Sequence, residues 1–298
     1  MTQLHGVITS MLTPFTPGVQ LDEETLASEI AYQMDAGVHG ICVLGGTGES
    51  LSLTWEERDR VVKTAVQVVN GRIPLVVGCF VPLEDELVTF ANRIQDLGAT
   101  AMMLTPPPFY KSTSAQFQRM LESIASETSL PLVVYNAPKR AGINLSATEI
   151  CQLVSGIPSI IGVKDASGSI TDLVKAGRFM DPRAALLQGM DDIFLPTLAA
   201  GASGGILALA SPLPELMVNV FNNWKSGDVD SALKNQLDLI PVMNAVNSEP
   251  MPILVKEAMK VVGRPMGDTR RPLYEASAEN KQNLWSAMED LLQNNPGS

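Results

Sequence analysis

A lysine stands where an apolar strand is expected. The run Ile160-Ile161-Gly162-Val163-Lys164-Asp165 is otherwise of the kind a sheet buries on both faces, and lysine is almost never fully buried without cause. An ammonium deprived of water should give up its proton more readily. The neutral amine then attacks a carbonyl to form a carbinolamine and, by loss of water, an imine. Two plainer readings fit the same residues: Lys164 points outward between helices, or Asp165 holds it in a structural ion pair. Tyr135 leaves another apolar run just ahead of Asn136-Ala137-Pro138-Lys139-Arg140. Its phenol could relay a proton and Arg140 could grip a carboxylate with two N–H groups; a core tyrosine with a satisfied hydroxyl is the ordinary alternative. The turn Gly45-Gly46-Thr47-Gly48-Glu49-Ser50 offers bare backbone N–H groups and hydroxyls to an anion such as a carboxylate, or is simply a tight turn. Thr105-Pro106-Pro107-Pro108-Phe109-Tyr110-Lys111 is a proline-stiffened loop. Its aromatic pair Phe109 and Tyr110 serves as relay or lid, or packs against a neighbour.

These residues act together only if one scaffold brings them to one face. Strand-like runs fall at Val7–Thr13, Gly40–Gly45, Leu75–Phe80, Ala101–Thr105, Leu132–Asn136, Ile160–Lys164, Ala185–Gly189 and Gly205–Ala210. Each is nearly continuously apolar, as parallel strands covered on both faces are. Amphipathic stretches lie between them, with N-cap signals at Asp22, Thr54 (Glu57 completing a capping box) and Ser146. Glycine stops follow at Gly37, Gly98 and Gly201. Alternation at about 28 residues per unit predicts a (β/α)8 TIM barrel over residues 1–227, rather than a doubly wound sheet. The strand pattern then stops. Asp228–Val246, Pro252–Val262 and Ala278–Gln293 read as helices of a C-terminal extension, 228–298, packed on the barrel, with Asn294–Ser298 frayed. In such a barrel the reactive face is the ring of C-terminal strand ends, and the residues singled out above fall on that ring.

Composition narrows the chemistry. The 298 residues carry 21 basic and 32 acidic side chains, a net charge of −11 without a basic tract, which argues against nucleic acid or an anionic membrane as partner. No apolar run approaches the ~20 residues of a spanning helix, and Met1–Ser10 shows no basic stretch before an apolar one; a cytoplasmic globular protein is expected. Cys42, Cys79 and Cys151 are far apart in apolar surroundings and read as buried reduced thiols. With only His5 and His39, neither an imidazole-built metal site nor a Ser-His-Asp triad is expected. Gly201-Ala202-Ser203-Gly204-Gly205 could cradle a phosphate, but no basic partner accompanies it and close packing is the plainer reading.

The chain resembles the dihydrodipicolinate synthase / N-acetylneuraminate lyase family of class I aldolases over essentially its whole length. The matching residues run from Gly6-Val7-Ile8 through Thr13-Pro14-Phe15, the Gly-Thr-Gly-Glu turn, Tyr135-Asn136 with Pro138 and Arg140, and Gly162-Val163-Lys164-Asp165. They continue in Glu249-Pro250-Met251-Pro252-Ile253, Val255-Lys256, Gly263 and Arg271-Pro272-Leu273. The resemblance implies that Lys164 is the Schiff-base lysine and Tyr135 the general acid/base. It implies that Thr47 and the amides of Gly46 and Gly48 cradle the carboxylate of pyruvate or a related 2-oxo acid. Arg140 then meets the carboxylate of a second substrate, for which an aldehyde is one option, and Gly189 and Ile206 line the pocket. It further implies a homotetramer with an aromatic from a neighbour entering the site, and no metal or organic cofactor. Two departures stand out. The synthases read Gly-Thr-Thr-Gly-Glu, and Gly46 here replaces the first threonine, whose hydroxyl links two relay tyrosines. Phe109 falls at the second tyrosine's place, with Tyr110 one residue on. The relay is therefore absent or rebuilt from Tyr110 and water. The alternatives are a sugar-acid aldolase, a 2-keto-3-deoxy-sugar-acid dehydratase or deaminase of the same family, or a non-catalytic barrel that binds a 2-oxo acid.

Overall fold

Eight parallel strands close on themselves in chain order. They are β1 (Gly6–Ser10), β2 (Gly40–Val43), β3 (Leu75–Gly78), β4 (Ala101–Leu104), β5 (Leu132–Asn136), β6 (Ile160–Asp165), β7 (Ala185–Gln188) and β8 (Gly204–Leu207). This computed structural model describes residues 4–295. Helices α1 (Glu23–Asp35), α2 (Trp55–Val69), α3 (Glu84–Leu97), α4 (Ser114–Glu127), α5 (Pro138–Ala141), α6 (Ala147–Gly156), α7 (Ile170–Phe179), α8 (Phe194–Ala199) and α9 (Pro214–Ser226) fill the connections. Helices α10 (Val229–Val246), α11 (Ile253–Val261) and α12 (Ala278–Asn294) follow. The protein is a (β/α)8 TIM barrel with helices beyond it at the C-terminus. No described helix is long and apolar enough to cross a membrane.

Strand alternation divides the core in two. Ile8, Cys42, Val76, Met103, Val133, Leu187 and Ile206 fill the barrel interior, while their neighbours Val7, Ile41, Val77, Met102, Val134, Leu186 and Leu207 face the helices, the period-2 rule applied strand by strand. Local signals act where expected. Asp22 caps α1 by accepting from Thr25 N–H, and reciprocal capping boxes close the starts of α2 (Thr54 with Glu57) and α6 (Ser146 with Glu149). Gly98 ends α3 in the left-handed region, at φ 107°.

The strands are shorter at their C-terminal ends than apolar character suggests. Met11 and Leu12 were expected to extend β1, and Leu209 and Ala210 to extend β8, yet they belong to loops that are equally buried. Apolarity reports burial, and the loops capping this end of the barrel are buried too. The glycine run before β8 serves close packing: a Cβ on Gly204 would stand 2.1 Å from the Gly6 carbonyl oxygen. Both histidines lie near the opposite, N-terminal end, where His39 accepts from Val7 N–H and stacks edge-on against His5 and Phe221. Cys42 and Cys79 are free and buried, and burial pushes their thiols up to about 11 and about 12. Cys151 is free but only half-buried, contrary to expectation, because it sits on α6 near the surface. Asn294 still closes α12, and residues 296–298 of the segment expected to fray lie outside the described residues, as do residues 1–3 of the N-terminal stretch read for a leader.

Candidate active site

A cavity of about 190 Å³ opens at the C-terminal end of the barrel. Strand β6 sets its floor. Val163 belongs to the outer core, so the alternation turns Lys164 inward, where the residue is 6% exposed. The pairing of β5 with β6 puts Tyr135 directly beside it in register, and the Lys164 amine lies 4.6 Å from the centre of the Tyr135 ring. Neither plainer reading of Lys164 is realised. The side chain does not face the helices, and Asp165 turns away. Asp165 accepts from Asn136 Nδ2 at 2.7 Å and from the Ser167 hydroxyl at 2.8 Å. Burial raises the Asp165 carboxyl above its ordinary range despite those bonds. Among the described residues no carboxylate forms an ion pair with Lys164.

Gly189 follows β7, and a Cβ there would fall 2.8 Å from Lys164 Cε and 3.0 Å from the Ala166 methyl. Glycine at 189 is what leaves the lysine chain its place. Gly189 N–H donates to the Asp165 carbonyl at 2.7 Å, tying β7 to β6 below the amine. Ile206 of β8 closes the apolar wall.

The turn after β2 forms the opposite wall. Thr47 is buried and its Oγ1 accepts from the Ser10 hydroxyl at 3.1 Å, on the adjacent strand β1. The amide expected from Gly48 is committed within the turn, donating to the Gly45 carbonyl at 3.2 Å, because the chain reverses there. Gly48 instead serves close packing: a Cβ would approach the Met11 carbonyl at 3.0 Å, and the Gly48 carbonyl accepts from Thr13 Oγ1 at 2.6 Å. Arg140, from α5, lies over Gly46, where a Cβ would stand 3.2 Å from its Nη1. Amine, phenol, threonine hydroxyl and guanidinium thus share one cavity. It suits a small carboxylate whose carbonyl carbon reaches the amine.

Leu44 and Glu49, which bracket the turn, are both left-handed, at φ 56° and φ 52°. Non-glycine residues hold that conformation only when the surroundings fix them. Those surroundings come from α11 and the loop that follows it. Glu49 pairs with Lys256 of α11 at 2.8 Å, deep in the protein, and accepts from Arg270 N–H at 2.8 Å. The Lys256 amine and the Arg270 guanidinium each lie 4.3 Å from the Phe15 ring centre, and Arg270 also grips Glu57 with two N–H groups. Burial lowers the Lys256 pKa against the pull of Glu49.

Phe109 and Tyr110 are not brought to the cavity. They are 91% and 70% exposed, stacked edge-on against each other at 5.9 Å. The chain kinks outward there, with φ 78° at Phe109 and 48° at Lys111. Within one chain they are neither relay nor lid.

Several lining residues escaped sequence reasoning. Ser10 is a hydroxyl inside the run Val7–Thr13 and could have been noticed as a polar residue there. Asp191 accepts from Leu209 N–H at 2.9 Å, and burial raises its carboxyl to about 6, an effect the Lys164 charge opposes. Only the adjacent Asp191-Asp192 pair after a strand marks it in the sequence. Asn247 and Met251 reach the cavity from beyond α10, and no local pattern announces them.

The family model of the dihydrodipicolinate synthetase family matches residues 3–291. A 4-hydroxy-tetrahydrodipicolinate synthase of Methanopyrus kandleri is 35% identical over 293 residues, covering 97% of each chain. Among solved structures, a dihydrodipicolinate synthase superposes with a TM-score of 0.92 at 32% identity, over 97% of this chain and 99% of that one. YagE, a prophage protein of the dihydrodipicolinic acid synthase family from E. coli K12 solved in complex with pyruvate, superposes at 0.93 with 28% identity, over 97% and 99%.

Proposed function

Because this chain belongs to the dihydrodipicolinate synthetase family, and is thus a lyase of the class I aldolase kind, we propose that it activates pyruvate or a close 2-oxo acid as an imine on Lys164. The observation that carries this reading is the inward amine of Lys164 beside the Tyr135 phenol, with no carboxylate pairing it. The substrate carboxylate rests against Thr47 and the Gly46 amide, with the Arg140 guanidinium at the rim. The ketone carbon then faces the amine. Attack gives a carbinolamine, loss of water an imine, and the imine draws electrons from the neighbouring C–H or C–C bond. Tyr135 carries protons between these steps, a role worth about 10²–10⁴ in rate for a well-placed group. An aldehyde is the natural second substrate, its own acid group meeting Arg140.

Two features of the setting belong to the same reading. Residues 228–298 are an extension of a 1–227 barrel rather than a separate unit, since Asn247 and Met251 line the same cavity. The exposed Phe109–Tyr110 pair meets other copies in a homotetramer, and the enzyme works in the cytoplasm.

The test is borohydride reduction with pyruvate followed by mass spectrometry. A pyruvate-derived adduct on Lys164, absent in Lys164→Ala, is expected, together with loss of turnover in that variant. No adduct, or normal turnover in Lys164→Ala, refutes the reading. An adduct without any aldehyde condensation would favour a barrel that binds the acid without turning it over.

A further inference from the structure

A second chamber of about 270 Å³ adjoins the first, with Gly46, Tyr135, Arg140 and Met251 lining both. Its remaining lining includes Ser50, after the β2 turn, and Thr105, at the end of β4. Both are buried, and both hydroxyls lack a protein partner. A buried hydroxyl without a partner is costly, and native proteins satisfy such groups with ordered water where the space allows. At about 30 Å³ per water the chamber holds several. Its other charged wall is already engaged: Glu49 is held by Lys256 and by the Arg270 amide. Gly46 brings no hydroxyl to the wall between the chambers, and Tyr110 lies outside on a different surface.

We propose that Ser50 and Thr105 hold the water chain that resets Tyr135, so that the proton path of this enzyme runs through the second chamber. This rests on the imine reading above. When the protonated pyruvate imine becomes an enamine, the C3–H bond breaks, its electron pair forms the C2=C3 double bond, the C2=N π pair withdraws onto the Lys164 nitrogen, and the proton passes to a basic Tyr135 oxygen. The phenol so formed must release a proton before the next cycle. That proton leaves through waters fixed by the two hydroxyls, and the same path returns one when the aldol adduct forms. Ser50 and Thr105 position the relay and do not touch substrate.

The experiment follows exchange of pyruvate C3 protons for deuterium by NMR, alongside borohydride trapping on Lys164. Ser50→Ala with Thr105→Val should slow exchange at least tenfold and alter its solvent isotope effect. The pyruvate concentration that half-saturates trapping should stay within twofold. Thr105→Ser, which keeps the hydroxyl, should retain most of the exchange rate, while Thr105→Val should not. Unchanged exchange in the double variant, or equal slowing by Thr105→Ser and Thr105→Val, overturns the proposal. Failure of trapping in the unaltered protein overturns the imine reading itself, so the two failures are distinguishable.

Discussion

At the scale of single residues, the site is governed by what surrounds each ionisable group. Asp191 illustrates it: burial raises its carboxyl from an ordinary value near 4 to about 6, although the backbone N–H of Leu209 and the charge of Lys164 both favour the ionised form. A raised folded-state pKa means that the folded protein holds its proton more tightly than the unfolded chain. Folding is therefore favoured most below the unfolded value, and that share of stability is lost as pH climbs from about 4 through about 6. Asp191→Asn keeps an oxygen to accept from Leu209 and removes the charge. Because Asp191 keeps some solvent exposure, the expected gain at pH 7 is about 1 kcal/mol, vanishing below pH ~4. Urea unfolding at both pH values checks it; a gain equal at both would mean that ionisation is not the cause. Lys164 and Tyr135 were legible in the sequence because a charged or polar group in an apolar run is anomalous by itself. Asp191 was not, since its burial is created by β8 and the loop after it, remote along the chain.

At the scale of elements, capping pairs such as Thr54 with Glu57 could be read directly because both partners lie within one turn. The strand ends could not, since Met11, Leu12 and Leu209 are as buried in their loops as they would be in strands. The contact that shapes the β2 turn is the least local of all. Lys256 sits in α11 and Glu49 beyond β2, joined at 2.8 Å, and the same anomaly that exposed Lys164 marks Lys256 within Ile253-Leu254-Val255-Lys256. Two charges withdrawn from water are tolerated only as a pair. Lys256→Met therefore leaves the Glu49 charge buried without its cation, with an expected loss of about 3–5 kcal/mol, whereas Glu49→Gln combined with Lys256→Met recovers most of it. Chemical unfolding of the two variants decides this. If the double variant is no more stable than the single one, the cost lies in lost packing against Phe15 and not in an unpaired charge.

At the scale of the whole molecule, Phe179 and Tyr274 are exposed singly, whereas one loop presents two exposed aromatics side by side. Phe109 and Tyr110 are large, adjacent and almost wholly in water, whereas exposed aromatics usually mark a place where another surface docks. The loop also holds Phe109 and Lys111 in left-handed conformations, which costs on the order of 1–3 kcal/mol for each non-glycine residue. The proposed assembly would give that strain a use, with the two rings presented outward to another copy. Phe109→Gly separates the two effects, because glycine adopts the same φ without strain while removing a ring. Combined with Tyr110→Ser, it should leave secondary structure intact and shift the species seen by sedimentation velocity towards smaller assemblies. The melting temperature of the unaltered protein should rise with protein concentration, as association demands, and that dependence should weaken in the variant. An unchanged sedimentation profile would place the contact between copies elsewhere on the surface.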